Sequence, residues 1–260
     1  VSLPVTVSAL EGTNIFHTNS GNELTVSIGG SPYETIVCAS GNTTGRTVEG
    51  FKQPVTVWDS GFDLEYIHDE SDENKAAMMQ RLNNLINACI NSDGTDLDEI
   101  GKLVDWNSAI DYWIFTLLVM GTDMVTKNYL LYTFNGTKWY FGAYDMDCTH
   151  GLEWDGKTWR LPSYVPNPSY MAERHRLFEL ITLYKKDEFK SRYTAIRRVM
   201  SEDNMYQMFT NFAGKIPSNV YAADAKKWPT IPNTSVNNVS QIRDYYRMRI
   251  AHVDKWVEEM

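Results

Sequence analysis

The sequence predicts an α+β fold, in which a small β-rich N-terminal segment precedes a mainly helical domain with one embedded β-hairpin. Three observations support this prediction. Short β-branched runs alternate with glycine- and asparagine-rich breaks early in the chain, apolar residues recur with helical spacing after Asp69, and an Asn-Gly pair separates two alternating runs. We therefore divide the chain into residues 1–66, the β-rich segment, and residues 67–260, the helical domain.

The β-rich segment contains three runs that are typical of strands. Residues 5–7, 24–28 and 33–38 are β-branched or alternate between apolar and polar side chains. Gly29-Gly30 and the glycine- and asparagine-rich residues 41–45 separate these runs, which predicts turns between the strands.

The helical domain begins with a predicted helix over residues 73–92, followed by a short helix that starts at a group of acidic residues. Asp105 is the expected N-cap of the next helix, and its apolar residues repeat at i, i+3, i+4, i+7 and i+8 from Ile110 to Leu118. This stripe predicts a core-facing helix that Gly121 ends. Later apolar spacings predict helices around residues 177–181, 189–199 and 239–257.

A β-hairpin is predicted between the two groups of helices. Residues 129–134 alternate as a strand does, and residues 138–141 form the return strand. Asn135-Gly136 lies between them and is the strongest signal for a two-residue turn.

The composition restricts the partners of this protein. The 260 residues include 33 Asp and Glu against 24 Lys and Arg, which gives a net charge of −9 that disfavours nucleic acid. No run approaches the roughly 20 apolar residues of a membrane span. Cys38, Cys89 and Cys148 form no CxxC pair, so neither a disulfide framework nor a zinc module is predicted.

The residues from Asp123 to Asp147 have the order that kinase-type phosphoryl transfer requires. A loop Asp, Asp123, would accept the proton of the attacking hydroxyl. Asn128 would supply an oxygen ligand to Mg²⁺, and the hairpin would return the chain to Asp145 beside it. Two carboxylates and an amide oxygen suit Mg²⁺ or Mn²⁺, because both ions prefer oxygen ligands.

The spacing alone leaves a structural interpretation open. The same Asp-x4-Asn spacing recurs at Asp69 and Asn74, where it indicates a solvated loop entering a helix. In the structural interpretation Asp123 caps a turn, and Asp145 and Asp147 fill a turn at the end of a strand.

The segment from Asn128 to Gly151 resembles the signature of the CotH kinase family, which comprises spore coat protein H and its relatives. That signature has an Asn-Tyr-x-Leu-Tyr strand, a Gly-Lys-Trp return strand and a loop that matches Tyr144-Asp-Met-Asp-Cys-Thr-His-Gly151. Residues 62–66, residues 176–178 and the arginine-containing last helix extend the resemblance over roughly residues 60–258.

The resemblance implies an atypical protein-kinase-like fold and ATP-dependent phosphorylation of Ser or Thr in a protein substrate. By position it implies that Asp123 is the catalytic Asp, that Asn128 and Asp145 bind Mg²⁺ or Mn²⁺ with the nucleotide, and that Asp147 is a companion carboxylate, either a second metal ligand or a residue behind the ligands. Lys127 would neutralise the γ-phosphate, or would be a solvated loop lysine.

Two departures from the family pattern keep other functions open. His150 stands where the family usually has an aromatic ring, and the family's Arg-Gly and Lys-Lys segment has only a poor substitute in residues 41–46 and Lys52. We expect residues 1–60 to be the tail of a lobe or a reduced lobe. The alternative function is therefore a catalytically inactive kinase-fold structural or binding module of a spore coat, cell surface or phage particle. The expected location is a spore coat, a cell surface or the outside of the cell after secretion. A weaker third possibility is a metal-dependent phosphoesterase.

Overall fold

The computed structural model describes residues 15–20, 23–28, 34–39, 49–59, 61–134, 136–162, 168–231 and 238–260, with the backbone alone at 15–20, 23–28 and 49. The predicted strand at residues 5–7, the predicted turns at 29–30 and 41–45, and Asn135 lie outside the described residues.

The described part of the chain has a β-rich beginning, a β-hairpin near its middle and helices elsewhere, as the sequence predicts. The strands are β1 (Ile15–Ser20), β2 (Glu23–Ile28), β3 (Thr35–Ala39), β4 (Asp63–Ile67), β5 (Tyr129–Thr133) and β6 (Tyr140–Ala143). The helices are α1 (Asp72–Asn91), α2 (Leu97–Leu103), α3 (Trp106–Val119), α4 (Pro168–Glu173), α5 (Arg176–Tyr184), α6 (Lys186–Val199), α7 (Glu202–Ala213), α8 (Ser218–Lys227) and α9 (Val239–Glu259).

A four-stranded antiparallel sheet in the order β4-β3-β5-β6 joins the two predicted parts of the chain, and β1 pairs with β2 separately. Strands β3 and β4 come from the β-rich segment, whereas β5 and β6 form the predicted hairpin. The predicted α+β class is confirmed, while the division at residues 66 and 67 stays a prediction.

Helix α3 lies in the centre of the helical part and packs against α5, α6, α9 and β6. Its predicted apolar stripe is buried, and Trp113 stacks on Phe178 of α5 with ring centroids 4.8 Å apart. The predicted N-cap is also present, because the Asp105 carboxylate accepts the N–H of Ser108 at 2.8 Å. The residues of this stripe therefore belong to the hydrophobic core.

The hairpin differs from the prediction in its turn. The last cross-strand pair is Tyr132 with Tyr140 and β5 ends at Thr133, so a connection longer than two residues joins the strands and the prediction of a two-residue turn is wrong. Trp139 leaves the hairpin ladder because its N–H donates to the carbonyl of Leu103 at 2.8 Å, in a bridge with Val104. The fully buried Trp139 ring anchors this connection to the start of α3.

The helices α4, α7 and α8 were not predicted. Helix α8 has no buried residue, so it shows no apolar stripe in the sequence. Each helix in the described residues is too short or too polar to span a lipid bilayer.

Candidate active site

The loop that carries Asp123 begins with a left-handed turn at the end of α3. Gly121 was predicted to end this helix, but the left-handed residue is Met120, with a φ of 55°. Glycine is needed next to it for a different reason, since a Cβ on Gly121 would lie 2.4 Å from the sulfur of Met124. The turn leads directly into a short 3-10 helix at Asp123–Val125.

The end of α3 is held by a buried arginine from α9. The side chain of Arg249 is fully buried, and its Nε donates to the carbonyl of Leu117 at 2.8 Å. Its Nη1 donates to the carbonyl of Pro162 at 3.2 Å. A guanidinium at the C-terminal end of a helix also interacts favourably with the helix dipole. Arg249 therefore fixes the point from which the Asp123 loop leaves α3.

Asp123 and Lys127 form an ion pair across this loop. The Lys127 Nζ lies 2.9 Å from the Asp123 Oδ2, and both side chains are partly exposed. Partial burial opposes the charge of Lys127, but the hydrogen bond to Asp123 and the charges of Asp123 and Asp145 outweigh it and raise the pKa of Lys127 above its ordinary value. Lys127 is therefore a cation at neutral pH.

Asn128 joins the loop to β5 in a left-handed conformation with a φ of 57°. Asparagine tolerates this conformation better than most residues. Its N–H donates to the carbonyl of Ala39 at the end of β3, and the residue is only 9 % exposed. These contacts fix Asn128 at the edge of the sheet.

The second acidic loop follows β6. Asp145 is left-handed, with a φ of 47°, and Asp145 and Asp147 are both exposed. The loop returns to the end of α3, where the N–H of His150 donates to the carbonyl of Val119 at 2.7 Å. The Asp123 loop and the Asp145 loop are thus attached to the same helix end.

The strand register brings the two loops to one edge of the sheet. Tyr129, which follows Asn128, pairs with Ala143 of β6, so Asn128 and Asp145 leave the sheet at the same end. Asp123 and Asp145 both act electrostatically on Lys127, so the three charged groups lie in one neighbourhood. The structure therefore brings together Asp123, Lys127, Asn128 and Asp145.

Asp147 lies in a different environment from the other predicted residues. Its carboxylate is hydrogen-bonded to the Cys148 thiol, whose pKa is raised by burial, by this bond and by the charge of Asp123. Asp147 also lines an apolar cavity beside α3 and α7. Asp147 therefore contacts Cys148, which is also affected by the charge of Asp123, and it lines the cavity beside α3 and α7.

A comparison with protein families identifies the relatives of this chain. A family profile described as CotH kinase protein matches residues 54–253, which is more than half of the sequence. The chain belongs to the CotH kinase family. No curated protein matches the sequence. The resemblance that the segment 128–151 indicated is thus confirmed, together with a kinase-like α+β fold for this CotH protein, while the roles of its single residues stay predictions.

A divalent metal ion fits the residues of this CotH chain only with further ligands. In the described residues, no three His, Cys, Asp or Glu side chains form a group that could hold a metal ion. The predicted ligands Asn128, Asp145 and Asp147 are one amide and two carboxylates, which is the donor chemistry of Mg²⁺ and Mn²⁺. Because Mg²⁺ is usually held by one or two carboxylates together with waters and substrate phosphates, this set agrees with a site that a nucleotide completes.

Two acidic residues near this edge of the CotH fold were missed by the sequence analysis. Asp63 of β4 pairs with Cys38 of β3, and Glu65 lies two residues further along the same strand. Burial and then the charges of Glu65, Asp63 and Asp145 raise the pKa of Cys38 to about 11. Asp63 and Glu65 therefore share the electrostatic environment of Asp145, which only the pairing of β3 with β4 reveals.

Proposed function

We propose that this CotH family member is an atypical protein kinase that transfers the γ-phosphate of ATP to Ser or Thr of a protein, with Mg²⁺ or Mn²⁺. The proposal is supported most directly by one observation. Asp123, Lys127 and Asp145 interact at the edge of the sheet where Asn128 is held, in the order that phosphoryl transfer requires.

In the proposed reaction the substrate hydroxyl oxygen forms a bond to the γ-phosphorus of ATP. The bond between that phosphorus and the β,γ-bridging oxygen breaks, and ADP leaves with its electron pair. Asp123 accepts the hydroxyl proton. Most of the catalysis is positioning and charge neutralisation, and no covalent intermediate forms on the protein.

Lys127 has two successive partners in this proposal. Its pairing with Asp123 keeps the loop in place before the nucleotide binds. When the γ-phosphate arrives, the ammonium group moves to a phosphate oxygen, which leaves the Asp123 carboxylate available to the incoming hydroxyl. Lys127 is cationic in the first arrangement because Asp123 raises its pKa, and the negative charge of the phosphate favours the same cationic form in the second.

Asn128 and Asp145 would hold the metal ion with the nucleotide, and Asp147 would support them as a companion carboxylate. The metal supplies charge neutralisation of the β- and γ-phosphates. The left-handed backbone conformations of Asn128 and Asp145 would help to position these ligands, since they set the chain direction just before β5 and just after β6.

Nucleotide binding is tested by thermal unfolding with Mn²⁺ and ATP. We expect the two together to raise the Tm of the wild type, and we expect Asp145→Asn to abolish most of this rise. Asp69→Asn is the matched control, because Asp69 belongs to the second Asp-x4-Asn segment, which the structure places at the start of α1, where Asn74 Nδ2 donates to the Asp69 carbonyl. A wild type whose Tm does not respond to Mn²⁺ and ATP would instead favour an inactive kinase-fold module.

Phosphate transfer is tested separately with radiolabelled ATP and casein, and with the protein itself as acceptor. We expect Asp123→Asn to lower the transfer rate by about 10²–10⁴-fold, the usual contribution of a proton acceptor, while nucleotide binding persists. An Asp123→Asn variant as active as the wild type contradicts the assignment of Asp123. Release of phosphate from simple esters without any nucleotide would indicate a phosphoesterase.

A further inference from the structure

A cavity of about 370 Å³ lies between α3, α7, α9 and the loop from Met146 to Leu152. Most of its wall is apolar, and three methionines, Met146, Met205 and Met208, contribute to it. Methionine side chains adapt to differently shaped ligands because they are unbranched and polarisable. The size and the apolar wall are those of a small-molecule site, since such sites measure about 300–1,000 Å³.

The cavity is accessible from solvent. Met146 and Met208, on two different sides of its wall, are 47 % and 54 % exposed. Met205 is buried and forms the inner part of the wall. The cavity therefore faces solvent on the side of Met146 and Met208.

One polar residue of the wall is incompletely hydrogen-bonded. His150 is 8 % exposed, and its Nδ1 lies 3.1 Å from the Thr149 hydroxyl. Its Nε2 is buried and has no hydrogen-bond partner in the described part of the chain. The ring also packs edge-on against Phe209 of α7, with centroids 5.3 Å apart. An unpaired buried nitrogen costs free energy, so a ligand that pairs with it gains affinity.

The charge state of His150 selects the chemistry of the ligand. Burial lowers the pKa of His150 to about 4, so the ring is neutral near pH 7 and has one donor and one acceptor nitrogen. A hydroxyl group can both donate and accept, so it pairs with Nε2 in either tautomer. A carboxylate can only accept, and Asp147 in the same wall would repel it.

We propose that this cavity binds an uncharged amphiphile, an alcohol or phenol whose apolar body lies between α3, α7 and α9 and whose hydroxyl pairs with His150 Nε2. The proposal concerns binding alone. It does not depend on phosphate transfer, and its test is separate from the tests of the proposed kinase.

The test compares 4-propylphenol, propylbenzene and 4-propylbenzoate by isothermal titration calorimetry at pH 7.5. We expect 4-propylphenol to bind about tenfold more tightly than propylbenzene, which is the difference that one hydrogen bond supplies. We expect no measurable binding of 4-propylbenzoate. The proposal is overturned if neither of the two uncharged probes binds, or if the benzoate binds best.

Two variants and a control locate the bound probe. His150→Phe keeps an aromatic ring at this position and should remove the tenfold preference while propylbenzene still binds. Met208→Lys introduces a charge into the wall and should weaken both uncharged probes more than about tenfold, whereas Val199→Lys changes a residue that is 71 % exposed and outside the cavity, so it should have no effect. An unchanged preference in His150→Phe contradicts the role of Nε2, and equal weakening by both lysine variants contradicts the site.

Discussion

The buried His175 makes a specific prediction about the stability of the fold at acidic pH. Its side chain is fully buried, stacks on Phe178 with ring centroids 4.0 Å apart, and shares one hydrogen bond with the Tyr129 hydroxyl at 3.3 Å. Its Nδ1 has no partner in the described residues. Burial, and then the charge of Lys52, lower the pKa of His175 from 6.5 to about 3.

The sign and the size of the change in stability follow from the difference in the pKa of His175 between the folded and the unfolded state. The folded protein keeps His175 neutral down to about pH 3, whereas the unfolded chain protonates it below about pH 6.5. Because the unfolded state binds the extra proton, the free energy of unfolding falls as the pH falls below 6.5, by about 2 kcal/mol at pH 5. His150, whose pKa is about 4, adds about 2 kcal/mol in the same direction.

The measurement is urea unfolding of the wild type and of His175→Phe between pH 5 and pH 8. Phenylalanine fits the aromatic surroundings of position 175 and does not titrate, so we expect the loss of stability between pH 8 and pH 5 to shrink by about half. His68→Gln is the control, because His68 is exposed, and it should leave the pH dependence unchanged. If His175→Phe loses as much stability on acidification as the wild type, the buried neutral histidine is not the cause.

Three further substitutions test the packing around the candidate site by urea unfolding at pH 7.5. Asp105→Ala should lower the free energy of unfolding by about 1 kcal/mol, because it removes the N-cap of α3, whereas Asp105→Asn should retain most of it. Gly136→Ala should destabilise the protein by more than about 1 kcal/mol, because Gly136 has a φ of 70° and a Cβ would lie 1.9 Å from the Arg81 Nη1, and an unchanged urea midpoint would contradict this geometry. Arg249→Met should cost about 3 kcal/mol because it removes two buried hydrogen bonds from a charged group, and an Arg249→Met variant as stable as the wild type would show that these hydrogen bonds contribute nothing net.

Several features that local sequence determines were predicted correctly. The N-cap of α3 was predictable because the Asp105 carboxylate accepts the N–H of Ser108, three residues further along the chain. The stripe of α3 is buried because its spacing matches the helical period. The strands of the hairpin were predicted for the same reason, since alternation is visible within a few residues.

Some of the errors come from contacts between distant parts of the chain. The prediction of a two-residue Asn-Gly turn was wrong because of Trp139. Its N–H donates to the carbonyl of Leu103, so Trp139 does not pair within the hairpin. No local sequence pattern indicates this bridge between Val104 and Trp139. Helix α8 was missed because it buries none of its residues, so its formation leaves no apolar period.

The candidate site shows the same division. Asp123 and Asn128 were assigned to the candidate site because they lie close together in one loop, and Asp145 because a hairpin brings the chain back. Asp63 and Glu65 were not assigned, since their position near Asp145 depends on the pairing of β4 with β3 and of β3 with β5. The order of the strands in this sheet is not visible in any local sequence pattern, because neighbouring strands such as β3 and β5 are about 90 residues apart in the chain.

The contact from Arg249 to Leu117 spans 132 residues, and this separation has a consequence for synthesis in the cell. The Asp123 loop leaves the ribosome long before α9 does, so a nascent chain carries that loop without the guanidinium that anchors it. Domains form as units during translation. We therefore expect a translation product that stops before α9 to contain every residue of the proposed phosphotransfer site and still lack its function.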